Sequence, residues 1–281
     1  MLICRPCRAT NVESVSNVEF IDTHCHLDFA HFDDDREAVL KRAQAAGVTM
    51  LINPGADLES SRRAVEVAER FPQVYAAVGI HPHDAATLDE TVLQELRRLA
   101  HHPKVVAIGE IGLDYYRDLS PRAQQRNAFE AQLALAATYR LPVIIHQRDA
   151  AQDVLSIVKR WRAQHSDHPA GVFHAFSGDL TLARQVVALG FYIGIAGPVT
   201  YTNARRLPEI LPRVPVESLV IETDAPYLTP HPYRGQRNEP AYLPLVARRL
   251  AELLHVPLEA LATHLTDNAR QLFRLASSSA E

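Results

Sequence analysis

Phe20-Ile21-Asp22-Thr23-His24-Cys25-His26 is a short apolar run that ends in two histidines one residue apart. In a β-strand, residues i and i+2 face the same way. His24 and His26 therefore project two imidazoles from one strand end, within reach of a single metal ion. Imidazole is a good ligand for zinc, manganese, iron or nickel. An isolated His-x-His pair is common on surfaces and in cores, so its meaning depends on how the later strands end.

Apolar, β-branched runs recur eight times: Phe20–His26, Val48–Pro54, Val74–Pro82, Val105–Asp114, Pro142–Arg148, Gly171–Ser177, Phe191–Val199 and Leu219–Leu228. Segments of helical periodicity separate them. Asp33–Ala46 opens on acids that suit a helix N-terminus. Leu58–Phe71 puts Val65, Ala68 and Phe71 on one face and Arg62, Glu66 and Glu69 towards another. Pro121–Arg140 follows Ser120, read as an N-cap before a proline at the first helical position. Asp179–Leu189 stops at Gly190. After the eighth run come a loop, Thr229–Asn238, and two or three helices to about Leu275. Eight strand–helix alternations predict an α/β fold, a single-domain (β/α)8 TIM barrel with its site at the C-terminal ends of the strands. A doubly wound open sheet is the alternative, but there is no glycine-rich dinucleotide turn. Residues 1–17 are expected to be a flexible extension, 18–275 the barrel, and 276–281 a disordered tail.

Composition narrows the function classes. The chain has 281 residues and a net charge of −4, with a pI near 6.4. That argues against coating nucleic acid through bulk charge. No apolar stretch reaches the roughly 20 residues that span a bilayer. Three cysteines, Cys4, Cys7 and Cys25, are too few for a disulfide framework and favour a reducing cytoplasm. Cys4-Arg5-Pro6-Cys7 has a CxxC spacing without a second pair, whereas structural zinc usually takes four ligands.

The decisive test is whether ligand-type residues gather at the strand ends. The first run ends in His24 and His26, the fourth carries Glu110, the fifth His146, the sixth His174 and the eighth Asp224. A ring of buried ionisable groups costs several kcal/mol unless something compensates, and one or two divalent cations are the simplest compensation. Asp224 can be a ligand, the general base for an attacking water, or both in succession. Glu222, two residues before it on the same face, is placed one layer below as support or as a hydrogen-bonded core glutamate. Arginine grips phosphate in a bidentate fork. Arg148, Arg234 and Arg237 are the candidates near the mouth. Tyr115 and Tyr116 are candidates to stack a base. His101, His102, His165 and His168 are read as solvated.

Seven motifs, in this order, resemble the TatD family of metal-dependent deoxyribonucleases, within the wider amidohydrolase-like metallohydrolase superfamily. They are Ile21-Asp22-Thr23-His24-Cys25-His26, Gly79-Ile80-His81-Pro82-His83, Gly109-Glu110-Ile111-Gly112-Leu113-Asp114-Tyr115-Tyr116, His146-Gln147-Arg148-Asp149-Ala150, Phe173-His174-Ala175-Phe176-Ser177-Gly178, Glu222-Thr223-Asp224-Ala225-Pro226-Tyr227-Leu228, and Arg234-Gly235-Gln236-Arg237-Asn238-Glu239-Pro240. The resemblance implies two divalent ions (magnesium, manganese or zinc). His24, His26 and Asp224 would hold one, and Glu110 would bridge to a second held by His146 and His174. It puts Asp224 and Glu110 in the chemistry and His81 near substrate. Related amidohydrolases bridge with a carbamylated lysine, but Lys41, Lys104 and Lys159 all lie in or beside helices. The function expected is a DNase of 3′-5′ exonuclease type, a cytoplasmic monomer or weak oligomer that cuts single-stranded DNA ends with metal-activated water. The alternative is a metal-dependent ester or amide hydrolase, such as a D-aminoacyl-tRNA deacylase. A non-catalytic scaffold on a retired barrel is disfavoured by the intact set of six ligand-type residues.

Overall fold

The computed structural model describes residues 18–276. The expected extension 1–17, with Cys4 and Cys7, and all of the expected tail beyond 276 lie outside the described residues.

Eight strands form one parallel sheet in sequential order, β1 to β8. They are β1 Phe20–Asp22, β2 Val48–Pro54, β3 Val74–Val78, β4 Val105–Asp114, β5 Val143–Arg148, β6 Gly171–Phe173, β7 Tyr192–Ile195 and β8 Leu219–Ile221. Helices follow as α1 Arg36–Ala45, α2 Leu58–Arg70, α3 Glu90–Ala100, α4 Arg122–Tyr139, α5 Ala151–Gln164, α6 Leu180–Ala188, α7 Arg206–Ile210, α8 Leu243–Leu254 and α9 Leu258–Phe273. The sheet closes just beyond β1 and β8. Thr23 N–H donates to Ile221 O at 3.2 Å, Asp224 N–H to His24 O at 2.9 Å and His26 N–H to Ala225 O at 2.8 Å. The buried Asp22 carboxylate straps the same seam, accepting from Thr223 N–H at 2.9 Å and from its hydroxyl at 2.6 Å. This is the single-domain TIM barrel expected.

Two apolar layers hold it. One lies between strands and helices. The other fills the barrel with Ile21, Ile52, Ala77, Ala107, Ile144, Val172 and Val220, joined by Leu272 and Phe273 of α9. Strand alternation then carries the inner face upward two residues at a time, from Ile144 to His146, from Val172 to His174, and from Val220 through Glu222 to Asp224. The fully apolar layer thus sits directly beneath the polar one. No helix of the described residues is long and apolar enough to cross a membrane.

Several strands are shorter than the apolar runs suggest. β1, β6 and β8 stop before His24, His174 and Asp224. Their inter-strand bonding continues one bond at a time, as in His174 N–H to Ile145 O at 3.0 Å. The backbone turns left-handed at Ala175 (φ 41°) and Asp224 (φ 56°), which ends the strand while aiming the side chains. After β3, Pro82–Thr87 is a 3-10 helix rather than strand. Ser120 is not an N-cap. Its hydroxyl donates to His83 O at 2.7 Å and accepts from Ala86 N–H at 3.1 Å, so it ties down the β3–α3 loop instead. His168 is not solvated either, being buried with Nε2 bonded to Ala136 O at 2.9 Å.

Candidate metal centre

Glu110 reaches the centre of the mouth through a break in strand regularity. The β4–β5 register slips between Ile108 and Ile111. Regular alternation from Ala107 would have turned Gly109 inward, and a bulge of this kind re-aims the next side chain. Gly109 has no room for more than hydrogen, since a Cβ there would lie 2.6 Å from Ile144 Cβ.

The Glu110 carboxylate faces imidazoles on both sides. Oε2 lies 3.3 Å from His24 Nε2 and 3.8 Å from His26 Nε2. Oε1 lies 2.8 Å from His146 Nδ1, 3.6 Å from His81 Nε2 and 3.8 Å from His174 Nε2. Asp224 Oδ1 sits 3.6 Å from both His24 Nε2 and His26 Nε2 and 3.7 Å from His174 Nε2. All six ligand-type residues predicted at the strand ends therefore converge. His81, expected near substrate, enters the same cluster.

Neighbours fix the rings. His26 Nδ1 donates to Pro54 O at 3.2 Å, which leaves Nε2 to face the carboxylates. His24 stacks on His174, with centroids 3.5 Å apart. His174 Nδ1 lies 2.9 Å from Oε1 of the fully buried Glu222, which also accepts from Ala175 N–H. Gly194 lets Glu222 in, because a Cβ there would come 2.7 Å from Glu222 Oε2. Asp114 was missed as a site residue. Its buried Oδ2 accepts from His146 Nε2 at 3.1 Å and lies 2.9 Å from His83 Nε2. It also closes an apolar run in a charge, the signal that marked the ligand-type residues at the other strand ends.

Charge in the cluster follows from these contacts. Burial opposes ionisation of Glu110, but the His174, His81 and His24 imidazoles and the bond from His146 hold it well below the usual carboxylate range. Burial likewise opposes ionisation of Asp224, and His174, His26 and His24 pull it down. Burial would depress His174, but Glu222, Glu110 and Asp224 outweigh it and hold its pKa at about 10. Burial depresses His24 and His81.

These residues fit divalent cations. His24 Nε2 and His26 Nε2 are only 3.2 Å apart. Two imidazole lone pairs that close repel unless a proton or a cation lies between them. His24 Nδ1 is buried without a hydrogen-bond partner, so its ring is fixed by stacking and by what Nε2 faces. Three groups of three ligand atoms each lie within 4.8 Å: His24, His174 and Asp224; His24, His26 and Glu110; His81, Glu110 and His146. Imidazole with carboxylate suits zinc, manganese and iron, and the carboxylates extend the range to magnesium. The three lysines sit elsewhere: Lys41 in α1, Lys159 in α5, and Lys104 just before β4, where it donates to Pro72 O and Val74 O.

The substrate candidates divide. Arg148 lies over the Tyr116 ring, 3.8 Å from its centroid, and Tyr116 is 60 % exposed. Both line a cleft of about 840 Å3, together with Gln147, Ser177 and Arg206. That cleft opens beside the cluster rather than over it, one residue beyond Asp114 and His146 along their strands. Tyr115 is committed elsewhere, donating to Asp153 at 2.6 Å. Arg234 lies over Tyr201 at 4.2 Å. Arg237 is not free for phosphate. It donates to both oxygens of Asp35 at 2.8 Å, to Glu239 at 2.8 Å and to His31 O at 2.6 Å.

Glu222→Gln tests how His174 is held. Supporting residues beneath metal ligands typically contribute 10- to 100-fold, and a loss of about 10- to 100-fold in metal affinity or turnover is expected. Metal titration and steady-state rates measure it. An unchanged affinity and rate would place Glu222 outside the site's function.

The family model for TatD-related DNase matches residues 21–274. The chain is 43% identical over 254 residues to an uncharacterized metal-dependent hydrolase, YabD, of Bacillus subtilis, covering 90% of this chain and 98% of that protein. It is 40% identical over 263 residues to the 3′-5′ ssDNA/RNA exonuclease TatD of Pantoea vagans, covering 91% and 99%. Among solved structures, the Escherichia coli TatD homologue YjjV superposes with a TM-score of 0.86 at 37% identity, over 92% of this chain and 98% of that one. Barrel, mouth chemistry and relatives agree: the chain belongs to the TatD-related DNase family of metal-dependent hydrolases.

Proposed function

We propose that this hydrolase removes nucleotides from the 3′ end of single-stranded DNA by cutting phosphodiesters at a two-cation centre. The observation that carries this reading is the Glu110 carboxylate, with one oxygen towards His24 and His26 and the other towards His81, His146 and His174. Relatives of similar length named 3′-5′ ssDNA/RNA exonucleases support the substrate class. They do not favour an acyl hydrolase. In the proposed assignment His24, His26 and Asp224 would hold one ion and His146 and His174 the other, with Glu110 serving both. Bound divalent ions would supply an acidified water and positive charge for the leaving oxygen.

The chain's own groups do the rest. Asp224 stays ionised at the mouth and is placed to take the proton of the attacking water. Arg148, exposed on its tyrosine, is placed to hold a neighbouring phosphate in a bidentate fork. Tyr116 lies under that guanidinium, and Arg234, in the loop after β8, is a second candidate for phosphate. A cytoplasmic monomer acting on strand ends completes the proposal, the compartment resting on the low cysteine count.

Protons compete with cations here. With its pKa raised to about 10, His174 keeps a proton through the neutral range. That proton stabilises the cation-free fold below the ordinary histidine pKa of about 6.5, and the stabilisation is lost as pH rises through about 10. A cation needs the lone pair instead. Metal affinity should therefore climb with pH up to about 10, by as much as tenfold per unit for each proton released. Calorimetry in buffers of different ionisation enthalpy measures the release. Affinity independent of pH would contradict the assignment of His174.

The function is tested on metal-stripped protein given magnesium, manganese or zinc in turn, with single strands labelled at the 3′ or the 5′ end. Stepwise metal-dependent loss from the 3′ end is expected. Hydrolysis of a D-aminoacyl ester with no strand cleavage under any metal would replace the nuclease by an acyl hydrolase.

A further inference from the structure

Four large apolar side chains stand exposed among the described residues: Tyr116, Leu119, Tyr227 and Val256. Tyr116 and Tyr227 belong to loops at the C-terminal ends of strands. Tyr116 follows β4, whereas Tyr227 follows β8. In a ring of eight sequential strands, the β8/β1 seam lies across the mouth from β4 and β5. Tyr116 has a use in the proposed function, and Tyr227 has none yet.

Tyr227 is 49 % exposed but rigidly mounted. Its N–H donates to Asp224 O at 2.8 Å, and its carbonyl accepts from Asn238 Nδ2 at 2.6 Å. Asn238 Nδ2 also donates to Thr223 O at 2.7 Å. Two rings from the loop after β1 meet it edge-on: Phe29 at 6.2 Å and 73°, and His31 at 6.1 Å and 71°. Phe29 in turn stacks flat on His26, at 4.5 Å and 16°. This aromatic group therefore begins on a ring of the metal cluster and ends half in solvent. Arg237 pins its outer edge through His31 O and two carboxylates, which gives that arginine a use other than phosphate.

Resting on the nuclease reading, we propose that Tyr227, backed by Phe29 and His31, seats the base of the terminal nucleotide, the one released, while the rest of the strand leaves over Arg148 and Tyr116. An aromatic face holds any base by stacking, without reading its sequence. The two sides differ in capacity. The cleft of about 840 Å3 beside Arg148 has two arginines on its walls and room for a continuing strand. The Tyr227 group offers one exposed ring, the size of one base. An enzyme that takes nucleotides from an end needs this asymmetry.

The test compares single strands whose 3′-terminal nucleotide carries a base or is abasic. Wild type should prefer the base by about 5- to 100-fold in kcat/KM, the range that stacking one base supplies. Most of the difference should lie in KM. Tyr227→Ala should lose the preference and cut the two strands with similar kcat/KM, whereas Tyr227→Phe should restore it. With a terminal 2-aminopurine before a non-hydrolysable methylene-phosphonate linkage, binding should quench the fluorescence in wild type and Tyr227→Phe but not in Tyr227→Ala. Cleavage by wild type without base preference, or a preference that survives in Tyr227→Ala, overturns the seat and leaves the nuclease standing. Failure of wild type to cut either strand overturns both.

Discussion

Glu110→Ala is expected to lower turnover by at least about 1,000-fold while the protein stays folded. Among the described carboxylates of the cluster, Glu110 alone turns one oxygen to His24 and His26 and the other to His81, His146 and His174. Its two oxygens meet five imidazoles within 3.8 Å. Removing it takes away the anion between them, but buried imidazoles can shed protons rather than remain as unpaired charges. The barrel core beneath is apolar and independent of the carboxylate. The fold should therefore survive, as thermal unfolding without added metal would report. Glu110→Asp is the sharper variant. One methylene shorter, it cannot face both sets of imidazoles, and it should keep one cation and lose most activity. Turnover within tenfold of wild type in Glu110→Ala would remove the carboxylate from the reaction.

Asp224→Asn should lower kcat by about 100- to 10,000-fold with little change in KM, the contribution expected of a general base. The left-handed backbone at this position, φ 56°, is one that asparagine tolerates, so the loop should keep its shape. The amide oxygen still offers a ligand atom but accepts no proton. Metal should consequently be lost less in Asp224→Asn than in Glu110→Ala, although both are inactive. Loss of metal without a separate effect on kcat at saturating metal would make Asp224 a ligand only.

The six residues that converge were legible because each follows an apolar stretch of its strand, and for most of them strand alternation continues the inner face into the mouth. Ile144 to His146 and Val172 to His174 follow that rule without exception. Glu110 does not. Regular alternation from Ala107 points Gly109 inward, and the placement of Glu110 goes with the register slip of β4 between Ile108 and Ile111. His81 was legible as a mouth residue, but not its approach to Glu110, which depends on how the Pro82–Thr87 turn packs. Arg237 was beyond sequence reading, because its partner Asp35 lies in another loop far away in the chain. Periodicity located helices well, yet a long-range partner reassigned Ser120 from helix cap to loop tie. The Tyr227 group likewise exists only through closure of β8 on β1.

Counting bound metal tests the central claim most directly. Stripped wild type and Glu110→Gln would be dialysed against excess manganese, and the retained ion counted by atomic emission. The proposed centre predicts two ions per wild-type chain and at most one in the variant. One ion or none in wild type, or an undiminished pair in Glu110→Gln, would contradict a two-cation centre bridged by Glu110.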